Sequence, residues 1–265
     1  MKAPSFAYAK PQSLAEALKL LENPGAKILA GGQSLIPTLN MRLSSPELLV
    51  DITGLSLSGI CAAGDGLRIG ALTTHAQVQR SEEVREVLPL LAEAATHIAH
   101  PAIRNRGTLG GSLALADPAA ELPACALALD ATFVIHGRNG ERRVKAGQFF
   151  KGLFETEIGA GEILVAVEFP RAERSAFFEL ARRHGDYAIV GVAAVQRGNE
   201  RRFAFFGAGA TPVLVARNAK SLDEAKASLH KELDPPADLY NTSATKLHLA
   251  KVLLERAWNK LTTSH

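Results

Sequence analysis

The sequence predicts an α+β protein laid out in three successive blocks, and three observations carry that expectation. A short strand, a glycine turn, a helix and a second strand follow one another near the N-terminus. A hairpin signal, Gly137-Arg-Asn-Gly140, lies between two strand patterns in the middle of the chain. Beyond Pro170, three strand patterns are followed by two helical ones, which Pro235-Pro236 separates.

Each element has a local reason. Ser13-Leu-Ala-Glu16 reads as a capping box, with Leu14, Leu18 and Leu21 on one apolar face and Asn23-Pro24-Gly25 as the stop. Lys27–Ala30 is a strand running into Gly31-Gly32, and a short helix over Leu35–Met41 precedes a strand at Leu48–Asp51. Leu67–Gly70 is a strand, and Val84–Ile98 is a helix broken near Pro89. Ala131–Ile135 and Arg142–Val144 form the predicted hairpin, and Ile163–Phe169 is a strand stopped by Pro170. Ala176–Ala181, Ile189–Val195 and Arg202–Phe206 are the strands of the last block; Leu222–Leu233 and Ala244–Leu261 are its helices.

Composition narrows the function. Apolar residues make up 47% and charged residues 22% of the 265 residues, which suits a packed globular chain and excludes disorder as its main state. A net charge of +3 without a dense basic run argues against an obligate nucleic-acid binder. Two cysteines, Cys61 and Cys125, are too few for an iron–sulfur cluster, which takes about four thiolates, and they point to a reducing, cytoplasmic setting. The start of the chain carries no apolar signal-peptide core, and no apolar stretch reaches membrane-spanning length.

Two glycine segments are candidates for chemistry. In Leu29-Ala30-Gly31-Gly32-Gln33-Ser34-Leu35, glycines at a strand end let the backbone approach a ligand and aim N–H groups at anionic oxygens. The spacing is not that of a Rossmann fingerprint, and taken alone the motif reads first as an ordinary turn with a capping serine. Arg104-Asn-Arg-Gly-Thr108-Leu109-Gly110-Gly111-Ser112 repeats the theme, either as a hairpin or loop needing positive φ, or as a second set of N–H donors gripping the same diphosphate. Asp117 before Pro118 reads as a helix cap, with Glu121 in the first turn, where its carboxylate could accept from sugar-like hydroxyls. His97 and His100, at i and i+3, have the spacing of two ligands on one helical turn but lack a third, so no metal site is expected. Arg182-Arg183-His184 is a basic cluster at a strand end, a solvated edge or an anion contact.

Together these motifs resemble the FAD-binding (medium) subunit of the molybdenum hydroxylases, the group containing the carbon monoxide dehydrogenase medium subunit and the xanthine dehydrogenase flavin domain. The resemblance rests on Ala30–Pro37, Gly70–His75, Ile98–Ser112, Asp117–Glu121, Phe149–Gly152 and Gly185–Gly191, in that order along nearly the whole chain. It implies a vanillyl-alcohol-oxidase-type (PCMH-like) FAD-binding fold: two α/β lobes plus a C-terminal antiparallel sheet with helices. The FAD-binding domain would span 1–172, in lobes of about 1–55 and 56–172, and a flavin-covering domain 173–265. Leu29 to Leu35 and Thr108 to Ser112 would wrap the diphosphate and adjoining sugars, and Glu121 would bond the cofactor. Ile98 and Leu164 would lie near the flavin or adenine, and Tyr187 against the flavin face, aided by Phe177 or Phe178. No catalytic acid or base is implied.

The implied chemistry is electron transfer within a heterotrimer, assembled further as a dimer of heterotrimers in the family's manner. A large subunit with a molybdenum-pterin cofactor would oxidise the substrate, and a small subunit with [2Fe-2S] clusters would relay electrons. FAD on this chain would discharge them to NAD, oxygen or a quinone. Gln33, Ser112 and Leu115–Asp117 depart from the carbon monoxide enzymes and turn the expectation toward an aldehyde or N-heterocycle. His100 stands where Asp is common in the family. Two rivals stay open at this point: a stand-alone flavin-dependent oxidoreductase of the same fold, and a flavin-free assembly subunit.

Overall fold

The computed structural model describes residues 2–217 and 219–263. The first block comprises β1 (Ala7–Ala9), α1 (Leu14–Leu20), β2 (Ala26–Leu29), α2 (Leu35–Asn40) and β3 (Leu48–Asp51). Its strands form a parallel sheet in the order β1-β3-β2. The Ser13 hydroxyl accepts from the Glu16 N–H at 3.2 Å, while the Glu16 carboxylate reaches past the cap to the Gln12 N–H at 2.7 Å. Leu14, Leu18 and Leu21 pack with Ile28 and Val50 onto Val134, Ile163 and Val165, joining this block to the second sheet.

The second block opens with β4 (Ile60–Ala63) and β5 (Gly66–Gly70). Six helices follow: α3 (His75–Arg80), α4 (Glu82–Val87), α5 (Pro89–His97), α6 (Pro101–Arg104), α7 (Leu109–Leu115) and α8 (Glu121–Ala128). β6 (Thr132–Gly137) and β7 (Gly140–Lys145) make the predicted hairpin, then come α9 (Ala146–Phe149), β8 (Phe150–Gly152), β9 (Glu155–Thr156) and β10 (Ile163–Phe169). The antiparallel sheet runs β4-β5-β10-β6-β7, with β10 central. That position explains the apolar run Ile163–Val167 of β10, which is buried; only Glu168 near its end is partly exposed, paired with Arg68 and Arg143.

The third block is the antiparallel sheet β11 (Arg174–Ala181), β12 (Ala188–Arg197), β13 (Glu200–Phe206) and β14 (Val213–Val215), followed by α10 (Leu222–Glu232) and α11 (Ser243–Thr262). Alternation gives this sheet two apolar faces. Val190, Val192, Phe203 and Phe205 pack under α10 and α11, whereas Phe177, Ala193, Val195 and Phe206 join the core of the second block around α5 and α8. The core therefore runs without a break across Pro170. Arg197 and Arg202 reinforce the junction by donating to the carbonyls of Leu129 and Leu127 at the end of α8, where cations suit the helix dipole.

The structure corrects two local expectations. Residues 104–112 form no hairpin: they complete α6 and begin α7, whose first turn is capped by Thr108 Oγ1 accepting from Gly111 N–H at 3.1 Å. Nor is Asp117 the cap of α8: its carboxylate accepts from Ala119 N–H at 2.9 Å in a tight turn, and the helix starts at Glu121. His97 and His100 fall on different elements, since α5 ends at His97 and His100 caps α6.

Candidate functional site

The site is built where the end of β2 meets the start of α7. Gly31 lies so close to the 106–107 backbone that a Cβ on it would stand 2.2 Å from the Arg106 carbonyl oxygen. A Cβ on Gly111 would meet Ala30 Cβ at 3.9 Å. The two glycine segments, some seventy residues apart along the chain, are thus brought together in direct contact.

Their backbones play different parts. Among the described residues, no acceptor faces the N–H groups of Gly31, Gly32, Gln33, Ser34 and Leu35; Ile36 N–H is the first to bond back, to Gly32 O at 3.1 Å. Gly32, at φ +72°, turns the strand so that successive amides follow one another into α2. The Ser34 hydroxyl makes no cap to its own helix. Such a run of unengaged amides ending in a hydroxyl is a set of donors of the kind that can receive an anion. In the second segment, by contrast, Leu109 donates to Thr73 O, Gly110 to Ala71 O, Gly111 to Thr108 Oγ1 and Ser112 to Thr108 O. The expectation of two opposed sets of backbone donors is therefore corrected: the start of α7 is a packed wall, in which Thr108 is buried as the helix cap and Ser112 is half-buried.

The wall is held from beneath. His75, 5% exposed, donates its backbone N–H to Gly107 O at 2.9 Å while its ring packs against Gly107, and burial, followed by the Arg104 charge, lowers the imidazole pKa to about 4. It is a neutral wedge under the segment. Arg104 donates to Ile98 O at 2.8 Å and Ala99 O at 2.9 Å, fixing the turn in which Ala99 has φ +40°. Sequence reasoning gave neither residue a role; both lay inside the motifs carrying the resemblance.

The remaining candidates surround this pair. Ile98 ends α5, and Leu164 lies at an irregularity of β10; both are buried in the main core. Glu121 stands half-buried in the first turn of α8, and burial, with Asp117 adding to it, pushes its carboxyl up to about 7 against a backbone hydrogen bond that lowers it. Tyr187, 73% exposed, sits in the turn between β11 and β12 with Asp117, Glu121 and Asp186 around it. Gly185 presses that turn against the Ala99 carbonyl. Arg182 and Arg183 both lean on Asp186, at 3.1 and 3.8 Å. Phe177 is buried on the α5 side of β11, and Phe178 packs on the opposite side with the α11 core.

Residues 4–172 match the family described as the FAD binding domain in molybdopterin dehydrogenase. The chain is 40% identical to the 6-hydroxypseudooxynicotine dehydrogenase complex subunit alpha of Paenarthrobacter nicotinovorans, over 98% of this chain and 95% of that one. Among solved structures, a chain of the carbon monoxide dehydrogenase from Hydrogenophaga pseudoflava superposes with a TM-score of 0.93 at 35% identity, covering 98% of both chains. A chain of quinoline 2-oxidoreductase from Pseudomonas putida 86 gives 0.90 at 37% identity, covering 97% of this chain and 96% of that one.

Proposed function

The chain belongs to the FAD-binding family of the molybdopterin dehydrogenases, and from that premise we propose that it passes electrons, received from the [2Fe-2S] clusters of a partner chain, through FAD to an external acceptor. At the level of the family it is the FAD-binding medium subunit of a molybdenum hydroxylase-type oxidoreductase. The observation that carries the finer reading is the unengaged run of amides from Gly31 to Leu35, lying against the start of α7.

In this reading Leu29 to Leu35 hold the diphosphate, and the hydroxyls of Thr108 and Ser112 reach the adjoining sugars. Leu109, Gly110 and Gly111 set the depth of the wall between them. Glu121 accepts from cofactor hydroxyls, Ile98 and Leu164 supply apolar walls, and Tyr187 covers the ring. Residues 1–172 form the cofactor-binding domain and 173–265 its cover. When bound, FAD supplies the exchange between one-electron and two-electron carriers; the chain supplies position and electrostatics.

The substrate is oxidised at a molybdenum-pterin centre on the large subunit, and an aldehyde or N-heterocycle is the class proposed. Relatives named for a nicotine derivative and for quinoline support that class. The complex is a dimer of heterotrimers located in the cytoplasm, a setting in keeping with the free thiols of Cys61 and Cys125. Among the described residues, no helix is long and apolar enough to cross a membrane.

The test is the visible spectrum and metal content of the chain purified with whatever binds it. Flavin, iron and molybdenum in one peak support the proposal. Flavin without metals or partners supports a stand-alone flavoenzyme, and a colourless chain that refuses added FAD overturns the reading.

A further inference from the structure

A second cluster of titratable groups lies where β11 packs across α5. Alternation turns Phe177 and Glu179 toward α5 and α8. The Glu179 side chain is 3% exposed, and its Oε2 has no hydrogen-bond partner among the described residues. The one basic group within 4.0 Å of it among those residues is His97, whose Nδ1 stands 3.8 Å away. The His97 ring in turn lies 5.0 Å from that of Phe177 and 5.8 Å from that of His184. His184 is exposed. A buried carboxyl, a half-buried imidazole and an exposed imidazole thus lead from the interior to water.

The charges facing this group come from every element around it. α5 brings Glu93, α8 brings Glu121 and the buried Cys125 thiol, and Asp117 precedes α8. The β11–β12 turn brings Arg182 and Arg183, which Asp186 engages, and Lys260 of α11 faces Glu93. Among the described residues, no lysine or arginine therefore neutralises Glu179. Burial first, then Glu121, pushes its carboxyl up to about 8, while burial and then His184 hold His97 below the ordinary imidazole range. At neutral pH both partners are uncharged and the pair holds the single proton of the Glu179 carboxyl, with the His97 Nδ1 side free to take up one more.

We propose that Glu179 and His97 form a redox-linked proton site beside the Glu121 end of the cofactor pocket, filled from water through His184. This rests on the reading of FAD as the cofactor of this chain. Electrons from the partner's one-electron carriers bring negative charge to the pocket. A proton from water then passes by His184 to His97, which becomes an imidazolium facing Glu179. When the electrons leave for the acceptor, the proton returns to water; no bond of either side chain other than N–H is made or broken. An unpartnered carboxyl oxygen at this spot makes the imidazolium easier to form when the pocket charge changes, because its lone pair awaits a donor.

The experiment measures proton uptake with a pH indicator during anaerobic reduction of the FAD-loaded chain, in wild type, Glu179→Leu and His97→Phe. Glu179→Leu keeps a buried side chain of similar volume and removes the oxygen acceptor that the imidazolium would meet. Less proton uptake per electron pair in both variants, with a shallower pH dependence of the flavin midpoint potential between about pH 6 and 8, is the expected result. Equal uptake in all three proteins at full FAD occupancy overturns the proton site and leaves the FAD reading standing. A chain that takes up no FAD overturns both. Histidine resonances of the FAD-free chain give an independent readout: the His97 titration moves in Glu179→Leu and stays in place in the surface control Glu22→Gln, and an unmoved His97 also overturns the pair.

Discussion

Gly31 and Arg106 are in backbone contact: a Cβ on Gly31 would lie 2.2 Å from the Arg106 carbonyl oxygen and 2.9 Å from Gly107 Cα. Neither neighbour is a side chain that could swing aside, so Gly31→Ala must part the two segments. Overpacking of this kind costs about 1–3 kcal/mol. The expected outcome is a lowered Tm together with loss of FAD, read by thermal melting and by flavin released on gel filtration. At Gly32 the added atom meets only Ile36 and Leu29 side chains, at 3.2 and 3.3 Å, with strain from φ +72°. Gly32→Asp is therefore expected to abolish FAD retention, by placing a carboxylate against the diphosphate, with the smaller stability loss of the two.

The paired glycines of α7 separate in the same way. A Cβ at Gly110 would stand 2.5 Å from Ala71 Cβ and 2.8 Å from Ala71 Cα, inside the core, whereas at Gly111 the near neighbour is the capping Thr108 Oγ1 at 2.8 Å. Gly110→Ala is expected to destabilise the apo chain by about 1–3 kcal/mol. Gly111→Asp should instead leave the chain folded and strip it of FAD. Denaturant midpoints and FAD titration of both variants check this; full flavin occupancy in Gly111→Asp would exclude α7 from the cofactor site.

The elements with strong periodicity were legible before any coordinates. Ile163–Phe169 has the bounds read from its apolar run and its stop at Pro170, and Pro89 splits α4 from α5 where proline chemistry requires. β1 was invisible because three residues carry no alternation, and its pairing with β3 is a long-range fact. α7 was hidden by its own composition, since Gly110 and Gly111 disfavour a helix that Thr108 capping and packing on Ala71 impose. The site was half legible. Glycines at a strand end signalled open backbone N–H groups, but which of them stay unengaged depends on acceptors such as Thr73 O and Ala71 O, distant in the chain. Glu179 and Arg104 had no local signature, because their roles come from what the fold places beside them.

Arg104 offers a test of that indirect role. Its guanidinium serves the carbonyls of Ile98 and Ala99 at 2.8 and 2.9 Å and so holds the turn against which Gly185 packs. Arg104→Met leaves those carbonyls without a charged donor and is expected to cost about 2–3 kcal/mol. Because the turn carries Ile98 and supports the Tyr187 segment, FAD should also bind more weakly. Arg104→Lys should recover stability only in part, since an ammonium lacks the planar fork. Urea denaturation of the three proteins orders them wild type, Lys, Met; an Arg104→Met chain as stable as wild type would remove the turn from the argument.

Glu121 ties pH to both folding and cofactor. Burial raises its carboxyl from 4.5 to about 7, so the folded chain holds this proton more tightly than the unfolded one. A carboxyl shifted upward favours the fold most below its unfolded pKa, and that advantage is lost as pH rises from 4.5 to about 7. The difference in stability between wild type and Glu121→Gln should therefore change by about 1–3 kcal/mol across that window and level off above it. FAD binding has the opposite trend. Hydroxyl donors on the cofactor prefer the ionised carboxylate, so wild type should bind FAD more tightly as pH climbs through 7, while Glu121→Gln shows a flat profile. Fluorescence titration of FAD at a series of pH values measures it, with Glu179→Gln run alongside because that neighbouring carboxyl is shifted in the same direction, to about 8. A wild-type profile as flat as that of Glu121→Gln would mean that Glu121 does not face the cofactor.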